Sequence, residues 1–433
     1  MTNAIHVTAV VSAYKSQEFL DGRLRNLVEQ TLFAKGVLEV IVIDSASPQE
    51  EHTIAGKYTS RYPNIRYFRT AERETVYSAW NRGMEMAEGE YLINANTDDR
   101  FAVDGLEVLS NSLDNSPDVS CVYGNWLVTA TPNDTMESST SKFVFEYPEF
   151  YAPLFLYFQI TSHAALVRRS AFEKVGPYNG NLRVFGDREW MLRFCQQGLQ
   201  AKKVPKVIGL YFANGQGVEA TDPQGAAEFA YLRNEYVKPE SLSRLFGLSK
   251  PLNAKELAQL YTDAGILGKH FYNWNGQSIS DLPFAARMFG RALKSDPENV
   301  DALNNLGVIL ATNTKWTEAA SLFKAANMLA KGDIKQEIAK NRQRLERRST
   351  RIEDYGWIKS AKLGPLKTLT SKSIPKIWTN AVSEFASQKS ASQSKKQYRV
   401  PPFVADFSAA PQSSHEVFAQ MTSVLEMEPL SID

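Results

Sequence analysis

The chain has 433 residues, with 49 basic and 48 acidic side chains and a net charge of +1. At about 150 residues per domain there is room for two or three domains, and the balanced charge provides no global field of the kind that draws a protein to nucleic acid. The two cysteines, Cys121 and Cys195, exclude a disulfide framework and fit a reducing compartment.

The N-terminus, MTNAIHVTAVVSAY, has no basic region followed by a long apolar core, and no apolar run reaches bilayer length. The expected location is therefore cytoplasmic, with any membrane contact peripheral, at the inner face. Residues 5–11 are β-branched and strand-like. Phe19, Leu20, Leu24, Leu27 and Val28 mark the buried stripe of a helix. Leu38 to Ile43 is nearly all apolar, as in a strand covered on both faces, and runs into Asp44-Ser45-Ala46-Ser47. A helix over about 49–60 leads to the strand-like Ile65-Arg66-Tyr67-Phe68. Alternating strands and helices predict a mostly parallel sheet with flanking helices. No GxGxxG follows the first strand, so a glycine loop for a dinucleotide is missing.

Residues 76–101, VYSAWNRGMEMAEGEYLINANTDDRF, carry the densest signal. Val76, Tyr77, Trp80, Met84 and Ala87 share one face of a predicted helix over 76–87, with Gly89 as its stop. A strand over 90–95 then runs into Asn96-Thr97-Asp98-Asp99. Ligands bind at the carboxyl ends of strands in open α/β sheets, and Mg²⁺ takes one or two carboxylates plus substrate phosphates. The turn therefore reads as a metal–diphosphate platform, or else as an acidic loop capping the helix that starts near Asp104. Asp44 has two readings as well: acceptor for the ring N–H of a nucleobase, or Asx-turn.

Residues 119–127 and 160–169 are strand-like, the second containing His163. Ser170 then caps a short helix. Asp187 lies at the start of a helix whose apolar face is Trp190, Met191 and Phe194. A carboxylate there either complements the helix dipole or serves as a base.

The order of these motifs resembles that of inverting glycosyltransferases of family 2, with the GT-A fold. The resemblance covers residues 5–215. It rests on VVSAY, IVIDSAS, VYSAWNRGMEMAEGEYLINANTDD, CVYGN and TSHAALVRRSAFEKVGPYNGNLRVFGDREWMLRF, in the family's order. The resemblance implies that Ser12, Tyr14 and Asp44 line the nucleotide site, with Asn81 near the donor. It implies that Asn96 and Asp98 hold a divalent metal, Mn²⁺ or Mg²⁺, and the diphosphate, with Asp99 orienting the turn or touching the sugar. Asp187 would be the base, and His163 would line the acceptor or leaving-group side. Four departures stand out. Asn96 replaces the first Asp of Asp-x-Asp, as in a subset similar to bacterial surface-polysaccharide transferases. Ser45 follows Asp44 where Asp-Asp-Gly-Ser is common. Gly186 precedes Asp187 where Glu is common. Trp80 occupies a position often basic in relatives.

The second half changes character. Residues 225–275 are helical in pattern. Ala285, Phe289 and Ala292 recur 34 residues later at Ala319, Phe323 and Ala326, resembling tetratricopeptide repeats over about 284–333. Lys359, Lys362, Lys367, Lys372 and Lys376 are interleaved with Trp357, Ile358, Trp378 and aliphatic residues. That pattern suits either an anionic membrane surface, over 356–383, or a solvated tail. Residues 386–433 have the composition of a poorly ordered segment.

The expected organisation is a GT-A domain at 1–220, a helical region at 221–348 with tetratricopeptide-like repeats, and a basic, amphipathic, poorly ordered tail at 349–433. The expected function is sugar transfer from a nucleotide-diphosphate sugar to a hydroxyl of a glycan, a lipid-linked glycan or a protein. The repeats would dock a protein partner. The alternative is a non-catalytic adaptor that presents the repeats.

Overall fold

The computed structural model describes residues 4–141, 144–157, 159–161, 164–213, 222–269 and 281–358. Two compact units are present, Met1–Leu248 and Ser249–Asp433. His163 and the lysine-rich stretch from 359 onward lie outside the described residues.

The first unit is built on a mixed sheet. Its parallel part runs β3 (Ile65–Arg69), β2 (Leu38–Asp44), β1 (Val7–Ala13), β4 (Tyr91–Asn94). The antiparallel β8 (Leu166–Arg168) then joins β4 to β6 (Cys121–Thr129). The long β9 (Ala201–Phe212) lies parallel to β6 and carries the two-residue β5 (Arg100–Phe101) on its other edge. β7 (Val144–Phe145) pairs with β6 off this path. Helices α1 (Gln17–Val28), α2 (Thr31–Ala34), α3 (Glu51–Thr59), α4 (Val76–Glu85), α5 (Gly105–Asp114), α6 (Arg169–Val175) and α7 (Gly186–Gln196) flank the sheet.

Every residue of β2 is buried, as its apolar run predicts. Its buried Glu39 is satisfied by the Thr8 hydroxyl at 2.6 Å, Arg66 at 2.6 Å and the N–H of Gly89 at 3.2 Å. Ala13 pairs in register with Asp44, so β1 and β2 end level. The long-range partners β5 and β9 show no strong local pattern, and the sequence reading did not separate them.

Helix α4 is shorter than its periodicity suggests. It ends at Glu85, with Met86 as C-cap. Gly89 is not its stop. A Cβ at Gly89 would lie 2.6 Å from the Thr8 main-chain nitrogen, so glycine there permits close approach to β1. Within the strand predicted over 160–169, the described strand is Leu166–Arg168, and α6 begins at Arg169.

The first unit continues past residue 220 through α8 (Gly225–Tyr236) and α9 (Pro239–Leu245). Both bury apolar residues, Leu232 and Tyr236 in α8, Leu242 and Leu245 in α9.

The second unit contains α10 (Ala254–Lys269), α11 (Leu282–Ser295), α12 (Val300–Thr312), α13 (Trp316–Leu329) and α14 (Gly332–Glu346), each packed on its sequence neighbour. Phe289 and Phe323, 34 residues apart in sequence, are both fully buried. Each ring covers a glycine: Gly265 under Phe289, Gly307 under Phe323. Small residues thus let helices approach while aromatics fill the remaining space.

An extended strap, residues 355–358, returns across these helices. Asn305 donates to the Ile358 carbonyl at 2.9 Å and accepts its N–H at 3.0 Å. Asn341 does the same for Gly356, at 2.7 Å each way, and Asn304 adds a donor at 3.1 Å. Trp357 and Tyr355 lie on Phe289 and Phe323. Of the stretch 356–383 expected to meet a membrane, Trp357 and Ile358 are buried in the helical unit, and the residues from 359 onward lie outside the described ones. The described residues continue past 349 to 358.

Candidate active site

Three loops follow the carboxyl ends of β1, β2 and β4. The first two are knitted together. Lys15 donates its N–H to the Ser47 hydroxyl at 2.9 Å, Ser47 its N–H to Asp44 at 2.7 Å, and Ser45 its N–H to the Ala13 carbonyl at 2.9 Å. Lys15 and Ala46 hold φ of 50° and 49°, which side chains other than glycine rarely adopt. Such strain persists where the surroundings fix it, and it clusters at binding sites.

Asp44 is fully buried. Besides Ser47 it accepts from Arg69 at 2.6 Å and from the Tyr67 hydroxyl. Burial, reinforced by the bond to Asp44, pushes the Tyr67 phenol up to about 12. The carboxylate therefore fixes the loop after β2 to β3. Ser12 and Tyr14 are half-buried at the neighbouring edge. The Arg73 guanidinium lies 4.2 Å from the Tyr14 ring centroid, and the Lys15 ammonium 5.7 Å from it. Two cations thus flank that aromatic ring.

In the loop after β4, Asn96 and Asp98 are half-buried and Asp99 is buried. Asp99 accepts the N–H of Phe212 at 3.1 Å, and the Asn96 amide lies 3.5 Å from its other oxygen. Asp99 is therefore the residue that ties the acidic turn to β9. Two buried arginines hold the turn's main chain. Arg23 donates to the Asn96 carbonyl at 2.6 Å and lies 4.6 Å from the Phe101 ring centroid. Arg100 donates to the carbonyls of Thr97 at 2.8 Å and Asp99 at 2.6 Å. Burial lowers Arg23 to about 9, with Arg100 contributing and Asp99 and Asp98 opposing. It remains a cation at neutral pH. The sequence reading missed both arginines. The signal was present for Arg23, which interrupts the buried stripe Leu20, Leu24, Leu27 on its own face.

Asp187 lies in the first turn of α7, half-buried. Its Oδ1 accepts the N–H of Arg188 at 2.8 Å and lies 3.4 Å from the Tyr77 hydroxyl. That hydroxyl donates to the Val184 carbonyl at 2.6 Å, so its single proton is already placed. Burial and the neighbouring Asp187 charge push Tyr77 well above its ordinary range. The Tyr77 ring also accounts for Gly186. A Cβ there would lie 2.6 Å from ring atom Cδ2 of Tyr77. Gly186→Ala is expected to destabilise the fold by about 1–3 kcal/mol through overpacking. Urea unfolding measures this, and an unchanged midpoint would show that the ring can yield.

Asn81 uses both ends of its amide on the main chain of Tyr178, at 2.8 Å each. It fixes the turn between α6 and α7. Trp80 is buried in contact with Tyr77 and Tyr178, so its indole is core. The Tyr178 hydroxyl accepts from Asn94 at 3.1 Å, and its ring lies 5.4 Å from Trp190 of α7. This cluster links the end of β4 to the helix that carries Asp187. Ser12, Tyr14 and Asp44 thus share one pair of loops, Asn96, Asp98 and Asp99 share one turn, and Asp187 is reached through α4 and Tyr178.

The sequence profile described as "Glycosyl transferase family 2" matches residues 8–176. A cholesterol galactosyltransferase of Borreliella burgdorferi is 33% identical over 126 residues, 28% of this chain and 34% of that protein. A PGL/p-HBAD biosynthesis glycosyltransferase of Mycobacterium bovis is 26% identical over 217 residues, 48% of this chain and 73% of that one. The first of these matches spans only about a third of the relative's length. Among solved structures, S. aureus TarS aligns with 81% of this chain and 54% of its own, at 16% identity and a TM-score of 0.46. The stretch that contains the loops after β1, β2 and β4 is thus the part of the chain that is similar to glycosyl transferase family 2.

Proposed function

We propose that this chain transfers a sugar from a nucleotide-diphosphate sugar to a hydroxyl of a glycan, a lipid-linked glycan or a protein, with inversion at the anomeric carbon. The observation that carries the reading is a pair of half-buried carboxylates in a unit similar to this family. Asp98 stands after β4, Asp187 opens α7, and the Asn94–Tyr178–Trp190 contacts connect their supports.

The nucleotide base is assigned to Tyr14, whose ring face is already used by a guanidinium, with Ser12 beside it and Asp44 holding the loop. Lys15 and Arg73 bring positive charge to the same edge. They can meet the diphosphate in place of the basic residue that Trp80 replaces. Asp187 takes the proton from the attacking hydroxyl, which is a poor nucleophile until then. Attack opposite the leaving group gives inversion.

Among the described residues, no group of three or more His, Cys, Asp or Glu could hold a metal ion. The donor set still fits one held jointly with substrate. Asn96 turns its amide nitrogen toward Asp99, and its amide oxygen and the Asp98 carboxylate belong to the same half-buried turn. Two protein oxygens with diphosphate oxygens and water are a usual environment for Mg²⁺ or Mn²⁺. When bound, such a cation supplies neutralisation of the charge that grows on the leaving diphosphate. His163 is kept as a candidate for the acceptor or leaving-group side.

Calorimetric titration of the full chain with UDP, GDP, CDP and dTDP, each with and without Mn²⁺, tests the reading. Binding of one nucleotide, strengthened by Mn²⁺, is expected and names the donor class. A folded chain that binds none of them would favour the adaptor that presents its helices to a partner.

A further inference from the structure

The three main-chain amides just before α7 converge on one side chain. Arg183, Val184 and Phe185 donate their N–H groups to the carboxylate of Glu228 at 2.7, 2.9 and 3.0 Å. Glu228 is buried and belongs to α8, beyond the residues that match the family profile. A buried carboxylate is costly unless its oxygens are satisfied, and charge-assisted bonds of this kind are strong. Two further contacts join the same segments. Arg183 pairs with Asp222 at 2.9 Å, and the rings of Phe185 and Phe229 lie 5.5 Å apart. On the other side, Tyr77 donates to the Val184 carbonyl. The loop is therefore held from two directions, and Asp187 follows it by two residues.

We propose that Glu228 is a positioning residue for Asp187, clamping residues 183–185 so that the carboxylate at the start of α7 stays aligned with the acceptor hydroxyl. This rests on the transferase reading above. The chemistry of the clamp is specific to a carboxylate. A glutamine offers one acceptor oxygen, and its NH₂ would face an amide N–H where the second oxygen now sits.

The test follows nucleotide release by the full chain from UDP-glucose, UDP-N-acetylglucosamine, GDP-mannose and dTDP-rhamnose, with water as acceptor. For Glu228→Gln, kcat is expected to fall about 10–100-fold, as small misplacements of a reacting group do, while KM for the donor stays within about twofold. Glu228→Asp, which keeps the charge but shortens the reach, is expected to fall between the two. Hydrogen exchange at residues 183–187 is expected to quicken in both variants. A Glu228→Gln kcat within about twofold of wild type, or a KM rise that matches the kcat loss, overturns the proposal. If Glu228→Gln does not fold, Glu228→Asp decides, and a wild-type kcat there overturns it. Wild-type protein that releases nucleotide from none of the donors overturns the transferase reading and this inference with it. Wild-type release that the variants retain overturns this inference alone.

Discussion

Replacing Asp187 by asparagine is expected to leave nucleotide binding intact and to reduce transfer by about 10²–10⁴-fold, the range a general base contributes. The substitution is nearly isosteric. Its amide oxygen can still accept the Arg188 N–H that Asp187 now receives at 2.8 Å, so the first turn of α7 keeps its local bond. What is lost is the capacity to take a proton. Tyr77 does not replace it. Its hydroxyl donates to Val184, and burial keeps the phenol protonated. Nucleotide release and calorimetry on the same preparation separate binding from chemistry. Full transfer by a purified Asp187→Asn protein would remove Asp187 from the base role.

Asp98→Ala is expected to abolish the Mn²⁺-dependent part of nucleotide binding while leaving the metal-free part and the fold unchanged. Loss of a cation's charge stabilisation, several kcal/mol in favourable sites, corresponds to weakening on the order of a hundredfold or more. The fold is expected to survive because the turn's main chain is held elsewhere. Arg23 and Arg100 grip the carbonyls of Asn96, Thr97 and Asp99, and Asp99 anchors the turn to Phe212. The same calorimetric series, repeated on the variant with and without Mn²⁺, gives the result. Metal-dependent binding that persists in Asp98→Ala would place the cation on other residues.

These two variants probe different supports, and the difference bears on how the site was built. Asp98 rides on a turn held by buried guanidinium groups from α1 and β5. Asp187 rides on a helix held by α4 on one side and α8 on the other. A cation buried beneath two carboxylates also limits the negative charge of the turn, where Asn96 already removes one acid relative to Asp-x-Asp. A metal ion with so few protein ligands would depend on the diphosphate for much of its coordination. The expected signature is weak Mn²⁺ binding by the chain alone and stronger binding with nucleotide present.

The helical unit is covered in part by its own chain. Here the strap at 355–358 covers the buried Phe289 and Phe323, and Asn304, Asn305 and Asn341 satisfy its main chain. Protein partners of the helices remain a proposal, and a partner would have to use surface other than that beneath the strap.

Much of the first unit was legible from local pattern. The apolar run of β2, the stripe of α1 and the order of strand, helix and acidic turn around 76–101 each reflect a period or a composition that burial imposes on the sequence. These were enough to place Asp44 and Asp98 at the carboxyl ends of strands and Asp187 at the head of a helix. Tertiary structure alone showed what the noted residues bond to within the fold. Asp44 is consumed by Arg69, Tyr67 and Ser47, Asn81 by the Tyr178 main chain, and Trp80 by its aromatic neighbours. It also revealed Arg23, Arg100 and Glu228, and showed that Gly186 is set by the ring of Tyr77 more than a hundred positions away in sequence. The physical reason is common to all of them. A hydrophobic period is written within one element and can be read there. A buried hydrogen bond or a ring packed on a glycine joins residues distant in the chain, and neither partner carries a mark of the other until the fold brings them together.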